Sequence, residues 1–581
     1  MKKLLLFITL ITLLSISGLF SQGMMDYVDE VRGDTLVIKD FFDMGSADNS
    51  LYQVITADTT DVPDGRVYML KASGWYPNRN NPSTRRPTVV VGDLKGSIVQ
   101  YDGEEALPLL SGYNWGDGSN TGSFNFRHNT VIKHVNVVPA HQSGLGWSFF
   151  GSGNSKISLT WENCLFERTR WVFTNAGNDS ISWYMRDCYF VNMVGQECRR
   201  NGGVLDVFAR QDTLWVENCT HVIAQGLVYK LRANPFNRVM FNHNTFVNMS
   251  NLWLLDLGSQ SNISVTNNIF VNCNVQPYGP VNLDVGEEDI DKLPIGIVNV
   301  RVDTSVHKDR KYLVDNNVIY WDESLADLPD ILNTNEINGS TDWVSQMITM
   351  NTRTKGMFEN DAEYPYLVEG LWIEEMPTFT GPQDLFTDQL VELKDFSEAT
   401  CDTNSVDIYP LWRLIYDEEG QELYTDFPIP VDLSYTNAGL LTGALDFPFG
   451  DLNWFPTQKA VWEAQKDAEY ALIENALATG TTITSIAVKN GPKPESFKLE
   501  QNYPNPFNPS TVINFSIPKA GNVTLKVYNT LGQEVATLIN GYTAAKAYNV
   551  NFNGAGLASG VYIYSLKYNN QVVTKKMMLV K

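Results

Sequence analysis

The sequence is poor in the residue types that mark several large protein classes. Its 581 residues include only 6 Cys and 6 His, and no Cys-x-x-Cys pair occurs. So few cysteines exclude a disulfide-rich scaffold, and the missing pair removes the usual sign of a zinc ribbon or a redox motif. The scarcity of histidine argues against an enzyme with a histidine-rich metal centre, and no organic cofactor is expected.

Positive charge is also scarce. Lys and Arg total 43 against 66 Asp and Glu, which gives a net charge of -23 and a pI near 4.7. A nucleic-acid binder would carry a basic face, so no nucleic-acid partner is expected. The same balance argues against docking on an anionic membrane surface.

Long apolar runs are missing except at the amino terminus. There, a run from Leu4 to Ile16 follows Lys2 and Lys3 and leads into small and polar residues. The run is short for a membrane span, and this order of charge, apolar run and small residues is typical of a secretory signal. We therefore expect residues 1–21 to be a signal peptide cleaved after Ser21, and the mature chain to have no membrane span.

The carboxyl-terminal residues differ sharply in charge from the rest. Residues 497–581 contain 8 Lys, no Arg and 2 acidic residues, a charge of +6, whereas residues 1–496 carry 35 basic and 64 acidic residues, or -29. Such a reversal predicts a domain boundary. Residues 481–496 are rich in turn-forming residues and are predicted to be a linker. Beyond them, short alternating strands separated by Pro and Gly predict a small Ig-like β-sandwich.

This terminal segment resembles the sorting domain of type IX secretion. The resemblance begins at Leu499–Pro509 (LEQNYPNPFNP) and continues through Val527–Asn529, Leu531–Val535 and Leu557–Tyr562 to the basic strand ending at Lys581. It implies a chain that is secreted across a bacterial outer membrane by the type IX machinery acting on residues 497–581. Removal of the tail and surface attachment or release usually follow in such proteins.

A short phrase recurs through the centre of the chain. Each copy has four positions. A turn-forming residue comes first, Cys or Asn usually comes second, a variable residue comes third, and an aromatic or aliphatic residue usually comes fourth. The copies begin at Asn163, Asp187, Asn218, His243, Asn267 and Asn316, with steps of 24, 31, 25, 24 and 49 residues. The last step equals about two repeats, with an insertion expected around Asp284–Asp291. Short strands at a near-constant period predict stacked supersecondary units.

A period near 24 predicts a right-handed parallel β-helix, in which equivalent side chains stack in ladders one strand spacing apart, about 4.8 Å. One predicted ladder consists of Cys164, Cys188, Cys219, Asn244, Asn268 and Asn317. A second consists of Asn192, Asn248 and Asn272. The cysteines would be either disulfides or, as stacked parallel Cβ vectors favour, buried free thiols. A catalytic role for them is the weakest of the three interpretations.

The chain is therefore predicted to be all-β. The solenoid occupies residues 22–340, and its first coils, around Gly65–Leu70 and Val131–Val137, resemble the pectin-lyase-like superfamily. Residues 341–480 are predicted to be an irregular flanking or capping region with a terminal helix, because an open solenoid end needs covering.

The best candidates for catalytic and substrate-binding residues form a cluster of mostly basic residues on the coils. Lys230, Arg232 and Arg200 are the candidate catalytic residues, and Arg199, Arg210 and Asp206 are the candidates for substrate binding. A lyase that acts on uronic-acid glycans needs a base to abstract the proton beside the carboxylate and a cation to neutralise that carboxylate. The paired carboxylates of a polygalacturonase-type hydrolase are not evident in the coils.

The position of Lys230 resembles that of the proton-abstracting Lys in chondroitinase-B-like and alginate lyases. The resemblance then breaks down. One coil later, where that family has Arg before His-Gly, this chain has Leu255–Gly258 (LDLG). The acidic pair expected before the Lys is also missing, since Cys219–Val228 contains no acid. Lys230 is therefore either a base or, more simply, a solvated strand residue.

The acidic insertion offers a candidate calcium site. Asp284, Glu287 and Glu288 supply the oxygen ligands that calcium prefers, but without the spacing of an EF-hand loop. A solvated acidic loop is the simpler interpretation.

Two functions stay open at this point. The first is an exported cell-surface or secreted protein that binds extracellular polysaccharide, and whose enzymatic activity, if present, is β-elimination. The second is a non-catalytic structural or adhesive surface protein. The broken lyase constellation favours binding over cleavage, and the strongly acidic chain would repel polyuronate unless calcium bridges the two.

Overall fold

The computed structural model describes residues 22–44, 50–59, 62–78, 83–94, 97–98, 105–112, 124–139, 148–169, 172–193, 203–231, 234–250, 255–257, 261–279, 293–300, 309–399, 414–416, 422–425, 431–443, 447–483, 486–489, 496–518, 521–543, 547–554, 556–569 and 571–581. Within them the chain is mostly β, as predicted.

The first twenty-nine strands build the solenoid. They are β1 (Val28–Arg32), β2 (Thr35–Ile38), β3 (Val67–Leu70), β4 (Trp75–Asn78), β5 (Thr88–Gly92), β6 (Leu109–Gly112), β7 (Phe124–Phe126), β8 (Thr130–Lys133), β9 (Asn136–Val138), β10 (Ser148–Ser152), β11 (Ser158–Glu162), β12 (Leu165–Glu167), β13 (Val172–Ala176), β14 (Ser182–Arg186), β15 (Tyr189–Met193), β16 (Gly203–Val207), β17 (Gln211–Glu217), β18 (Thr220–Ala224), β19 (Tyr229–Lys230), β20 (Phe236–Asn242), β21 (Thr245–Met249), β22 (Leu255–Leu257), β23 (Ile263–Thr266), β24 (Ile269–Cys273), β25 (Val298–Val300), β26 (Tyr312–Asp315), β27 (Asn317–Tyr320), β28 (Leu367–Glu369) and β29 (Trp372–Glu374).

These strands stack into three parallel sheets that run along the solenoid. The first sheet has 12 strands, in the order β1-β2-β3-β5-β8-β11-β14-β17-β20-β23-β26-β28, and only the β1–β2 pair is antiparallel. The second has 10 strands, from β4 and β6 through every third strand to β27 and β29. The third consists of β7-β10-β13-β16-β19 and continues as the pair β22–β25. Strands that recur every third element in parallel register define a parallel β-helix.

Helices and short sheets complete the described part of the chain. The helices are α1 (Gln22–Met25), α2 (Phe41–Met44), α3 (Ser50–Ala57), α4 (Leu328–Thr334), α5 (Thr352–Phe358), α6 (Asp388–Ala399), α7 (Pro456–Glu463) and α8 (Lys466–Thr479), with 3-10 turns at Glu323–Leu325, Ile337–Gly339, Gln383–Phe386 and Leu452–Trp454. The remaining strands before the tail are β30 (Phe379–Gly381), β31 (Leu414–Tyr416), β32 (Glu422–Thr425) and β33 (Asp432–Tyr435).

The repeated phrase marks the corner between the first and second sheets. The residue that opens each copy has a left-handed backbone, with φ between 50° and 59° from Asn163 to Asn316. Asn and Asp tolerate this conformation better than other non-glycine residues, which explains their recurrence there. The next residue points into the solenoid and the strand of the second sheet follows, so a local backbone requirement generates the sequence repeat.

The predicted asparagine ladder is confirmed. Asn268 donates through Nδ2 to Asn317 Oδ1 at 3.0 Å, and its own Oδ1 accepts from both Asn244 N and Asn244 Nδ2 at 3.0 Å. Cys219 continues the ladder, since its backbone N donates to Asn244 Oδ1 at 3.0 Å. All three residues of the cysteine ladder, Cys164, Cys188 and Cys219, are buried free thiols. Burial raises the pKa of the Cys188 thiol well above its usual value, so it is unreactive.

The second asparagine ladder is present with one interruption. Asn272 Nδ2 donates to Asn248 Oδ1 at 3.1 Å. Between Asn192 and Asn248, the register places Ile223, which adopts φ 60° and is buried. A β-branched residue in this conformation is a conformational outlier. The position therefore demands a left-handed backbone even where the sequence supplies no asparagine.

The expectation that the 49-residue step contains about two repeats is wrong. β23 pairs directly with β26, with Ile263 opposite Tyr312, and β24 pairs directly with β27. The step is therefore a single coil whose second and third strands, β24 and β25, are separated by a long excursion. A regular repeat cannot distinguish one coil with a long loop from two coils, because both lengthen the chain between phrases.

The flanking region lies against the sides of the solenoid. Residues of the outer face of the second sheet, such as Leu165 and Val247, form one core with Phe379, Leu385 and Leu433. On the first sheet, Met240 and Leu313 pack against Ile473 and Leu477 of α8. Parallel pairing also continues to β28 and β29, beyond the boundary predicted at 340. The flanking region thus packs on the outer face of the second sheet and on the later strands of the first, whereas outer residues of earlier strands, such as Lys133 and Glu162, stay part-exposed.

The tail forms a small β-sandwich. Its strands are β34 (Ile486–Lys489), β35 (Lys498–Leu499), β36 (Ser510–Ser516), β37 (Gly521–Tyr528), β38 (Glu534–Thr543), β39 (Ala547–Asn553), β40 (Gly560–Tyr568) and β41 (Gln571–Leu579). Two four-stranded sheets, β34-β39-β36-β35 and β38-β37-β40-β41, enclose a separate apolar core. β34 comes from the predicted linker, so this sheet recruits a strand upstream of residue 497.

Candidate functional site

The outer face of the third sheet carries a row of polar residues in register. Asn125 lies opposite Gly151, Gly151 opposite Asn175, and Asn175 opposite Asp206 on successive strands. Asp206 in turn lies opposite Lys230. We call these five residues the third-sheet ladder. Their neighbours Phe150, Leu205 and Tyr229 belong to the solenoid core, so alternation places the ladder on the opposite, outer face.

Asp206 and Lys230 lie side by side in the structure. They are direct Cα partners on β16 and β19, one coil apart. Both are shielded from solvent, with 0% and 5% of their surface exposed. Burial of both opposite charges is costly unless they are compensated, so this end of the ladder is a closed, charged environment.

A glycine sets the approach of the chain at this end. A Cβ added at Gly203, the first residue of β16, would lie 2.0 Å from Leu227 O and 3.0 Å from Val228 Cα. No side chain can be accommodated so close to backbone atoms. Gly203 therefore lets β16 pack directly against the segment that leads into Lys230.

The other end of the ladder is more open. Asn125, Gly151 and Asn175 are half-buried. The Asn125 amide lies across Gly151, since a Cβ there would be 2.7 Å from Asn125 Oδ1. Phe208, directly after β16, is 45% exposed. The two amides offer hydrogen-bonding groups, and Phe208, on the coil next to that of Asn175, offers an apolar face.

The remaining predicted residues divide into two groups. Arg210 lies in the turn before β17, where its Nη2 donates to Asn237 Oδ1 at 3.0 Å. The other six predicted residues lie outside the described part of the chain: Arg199, Arg200, Arg232, Asp284, Glu287 and Glu288. Of the nine residues, the structure therefore places Asp206 and Lys230 side by side and Arg210 at a neighbouring corner.

Tryptophans of the coils are mainly structural. Trp161 and Trp183 are buried in the interior and stack with centroids 5.7 Å apart at 6°. Trp215 is on the outer face but packs edge-on against Tyr470 of α8, with centroids 5.0 Å apart. None of these three is available to stack on a sugar ring.

A second polar cluster lies beneath α7 and α8. Glu469 accepts from Asn242 Nδ2 at 2.6 Å, and His243 Nε2 lies 3.3 Å from the same carboxylate. Burial alone would raise the pKa of Glu469, but His243, Asn242 and Trp462 together lower it below its usual value. The neighbouring Glu217 is also buried, and burial raises its pKa. Every one of these groups fastens a helix to a coil, so the cluster is an anchor and not a reaction centre.

The same anchor continues at Asp451. Its carboxylate accepts from Thr220 Oγ1 at 2.7 Å and from Asn453 Nδ2 at 2.7 Å. Burial raises the pKa of Asp451 to about 7, against the opposing effect of these hydrogen bonds. Lys459 Nζ lies 2.6 Å from Asp187 Oδ1 and completes the contact between α7 and the solenoid. No group of three or more metal-binding side chains suited to an ion occurs among the described residues.

Sequence reasoning missed the amide half of the ladder. Asn125 and Asn175 are separated by 50 residues and share no phrase. The lengths of the loops that precede the third sheet differ from coil to coil, so its register does not appear as a sequence period. The only available signal was an isolated Asn within each short apolar run.

Comparisons with known proteins identify the tail and nothing upstream of it. The family model described as the Secretion system C-terminal sorting domain matches residues 501–581. No match was found among curated proteins or among solved structures. Within the described residues, no helix is long and apolar enough to cross a membrane. The tail makes this chain a substrate of type IX secretion, which exports it across the outer membrane to the cell surface or the extracellular space.

Proposed function

We propose that the exported solenoid binds extracellular polysaccharide along the outer face of its third sheet. The observation that carries the proposal is the in-register row Asn125, Gly151 and Asn175, with exposed Phe208 on the coil next to that of Asn175. Amides supply both donors and acceptors for sugar hydroxyls, and an aromatic ring supplies an apolar face. The flanking region packs on the outer face of the second sheet and on the later strands of the first.

Binding is favoured over cleavage by the burial of the candidate base. A general base must come within hydrogen-bond reach of the proton it removes. Lys230 is 5% exposed and neighbours the buried Asp206, so a substrate could reach it only if the segments around it moved. β-Elimination of a uronic-acid glycan with Lys230 as base, assisted by Arg232 and Arg200, is the second candidate. Its specific support is the Asp206–Lys230 register pair.

Calcium is part of this proposal. Residues 1–496 carry a net charge of -29, so an anionic glycan would need a bridging cation. Asp284, Glu287 and Glu288 are the proposed ligands because carboxylate oxygens suit calcium. We also propose that the solenoid is related to the pectin-lyase-like superfamily, on the resemblance of its first coils.

Affinity electrophoresis of the mature chain in gels that contain alginate, polygalacturonate or chondroitin sulfate tests binding. We expect retardation that Asn175→Ala and Phe208→Ala each weaken. Asn475→Ala, the same amide loss on the exposed face of α8, is the matched control. Equal mobility of wild type, Asn175→Ala and Phe208→Ala in every gel would rule out the third-sheet ladder and the neighbouring Phe208 as the binding surface.

Ultraviolet absorbance of the same mixtures separates cleavage from binding, because β-elimination leaves a conjugated double bond in the product. A rise in absorbance that Lys230→Ala abolishes would support the lyase candidate. Retardation without any rise, with or without added calcium, would leave binding alone. Neither signal would favour the alternative of a purely structural or adhesive surface protein.

A further inference from the structure

An exposed aromatic cluster lies at the amino-terminal end of the solenoid, apart from the third-sheet ladder. Phe41 and Phe42 belong to α2, and Trp75 begins β4, the first strand of the second sheet. The ring centroids of Phe41 and Trp75 are 4.5 Å apart, and those of Phe41 and Phe42 are 5.6 Å apart. Phe42 is 70% exposed. We call these three residues the aromatic patch.

Local hydrogen bonds fix the patch. Asp43 N donates to Asp40 Oδ1 at 2.8 Å, and Asp40 N donates to Asp43 Oδ2 at 3.2 Å, which closes the turn that carries both phenyl rings. Trp75 Nε1 donates to Ser111 Oγ at 2.8 Å, which orients the indole. A surface that is already ordered loses little conformational entropy when a ligand binds.

A charged cluster adjoins the rings through Asp43, the residue directly after Phe42. Lys71 Nζ lies 2.7 Å from Asp43 Oδ2 and 3.5 Å from Asp29 Oδ2, and the three side chains are 33%, 32% and 45% exposed. Burial of Asp43 opposes its ionisation, but hydrogen bonds from Lys71 and from the Asp40 backbone hold its pKa below the ordinary value. The patch therefore has an apolar centre and a rim with both donors and acceptors.

This combination selects the chemical class of the ligand. A protein partner with a flat surface would bury the three charges of the rim at a cost in free energy. An anionic glycan would meet two carboxylates, of Asp29 and Asp43, and only one ammonium group, of Lys71. A neutral sugar ring presents C–H groups on its face and hydroxyls at its edge, which match the rings and the rim. We propose that the aromatic patch is a second glycan-binding site, specific for neutral polysaccharide.

Phe42 is the residue to substitute, because its side chain is largely exposed and its truncation should leave the fold intact. Mature chains are compared by affinity electrophoresis in gels of hydroxyethyl cellulose, laminarin and galactomannan. We expect retardation in at least one gel, and an affinity lowered about threefold to tenfold by Phe42→Ala, the range that an aromatic contact supplies. Phe42→Tyr retains the ring and should retain binding, whereas Phe42→Leu retains apolar area only and should not.

Two controls make the result decisive. Val461→Ala removes an apolar side chain that is 48% exposed on α7 and should leave mobility unchanged. Asn175→Ala on the third-sheet ladder should leave retardation by neutral glycans unchanged, so failure of the ladder does not affect this test. Wild-type mobility that is unaltered in all three neutral gels, or equal retardation of wild type and Phe42→Ala, would overturn the proposal.

Discussion

His221 Nε2 and the Tyr229 hydroxyl lie 2.9 Å apart inside the solenoid. The imidazole occupies a position that phenylalanine holds in the neighbouring coils, stacked 4.7 Å from Phe190 and 4.3 Å from Phe246. A single polar ring is thus built into an otherwise apolar aromatic column, and Tyr229 from the third sheet is its hydrogen-bond partner. Interior polarity of this kind makes stability depend on pH.

The first prediction concerns acid sensitivity. Burial lowers the pKa of His221 from 6.5 to about 3. Between these values the unfolded chain binds a proton that the folded chain rejects, so stability falls as pH decreases, by about 1.4 kcal/mol per unit. The stability of wild type, measured as the urea midpoint, should therefore decline between pH 6 and pH 4. We expect His221→Phe to reduce this decline by about 1.4 kcal/mol per pH unit.

Removal of the imidazole leaves the Tyr229 hydroxyl only the weak contact to Met185 Sδ at 3.8 Å, so His221→Phe is compared with His221→Phe/Tyr229→Phe. The double variant should recover the general loss of stability and keep the flat pH profile. Parallel midpoint curves for wild type and both variants would show that His221 does not titrate as its burial demands.

The second prediction concerns Asp451, whose effect on stability depends on pH in the opposite direction. Burial raises the pKa of Asp451 from 3.8 to about 7. Over this range the folded protein retains a proton that the unfolded chain releases, so stability is full below the lower value and is lost as pH rises through the upper one. Asp451→Asn cannot ionise, so its stability relative to wild type should improve from pH 4 to pH 8. Thermal midpoints at both pH values measure the difference, and a constant offset would contradict it.

The sequence repeat is readable because its causes are local. The first residue of each phrase, such as Asn163, is required by the left-handed backbone. The second residue, such as Asn268, is required by its interior position in the ladder. The third sheet is different, because loops of unequal length precede it and shift Asn175 and Asp206 out of any period. The environment of a tryptophan is equally unreadable, since Trp161 and Trp75 both lie in strands, yet one is interior and the other belongs to the aromatic patch. Which of two alternating faces is inside depends on the whole coil.

The third prediction measures the asparagine ladder. Asn268 is fully buried, and its side chain makes four hydrogen bonds, two accepted from Asn244 and one donated each to Phe241 O and Asn317 Oδ1. Asn268→Ala removes all four bonds, although Asn317 Oδ1 still accepts from the backbone N of residue 268 and Asn244 Nδ2 still donates to Val216 O. We expect a loss of about 3 kcal/mol in the free energy of unfolding. Asn475→Ala on exposed α8 is the control and should change stability by less than about 0.5 kcal/mol. Similar values for the two variants would mean that the ladder is not a stabilising element.

The fourth prediction uses two glycines near the third-sheet ladder that differ in their surroundings. A Cβ at Gly203 would lie 2.0 Å from Leu227 O, whereas at Gly177 the nearest atom would be Asn175 Oδ1 at 4.0 Å. Gly203→Ala must push β16 away from the backbone that leads into Lys230, and we expect a cost of about 3 kcal/mol in urea unfolding. Gly177→Ala should be neutral or slightly stabilising, because it only reduces the freedom of the unfolded chain. Comparable losses at both positions would point to a general need for glycine there. A loss confined to Gly203→Ala would show that the close approach of β16 to the Leu227 backbone is what requires glycine.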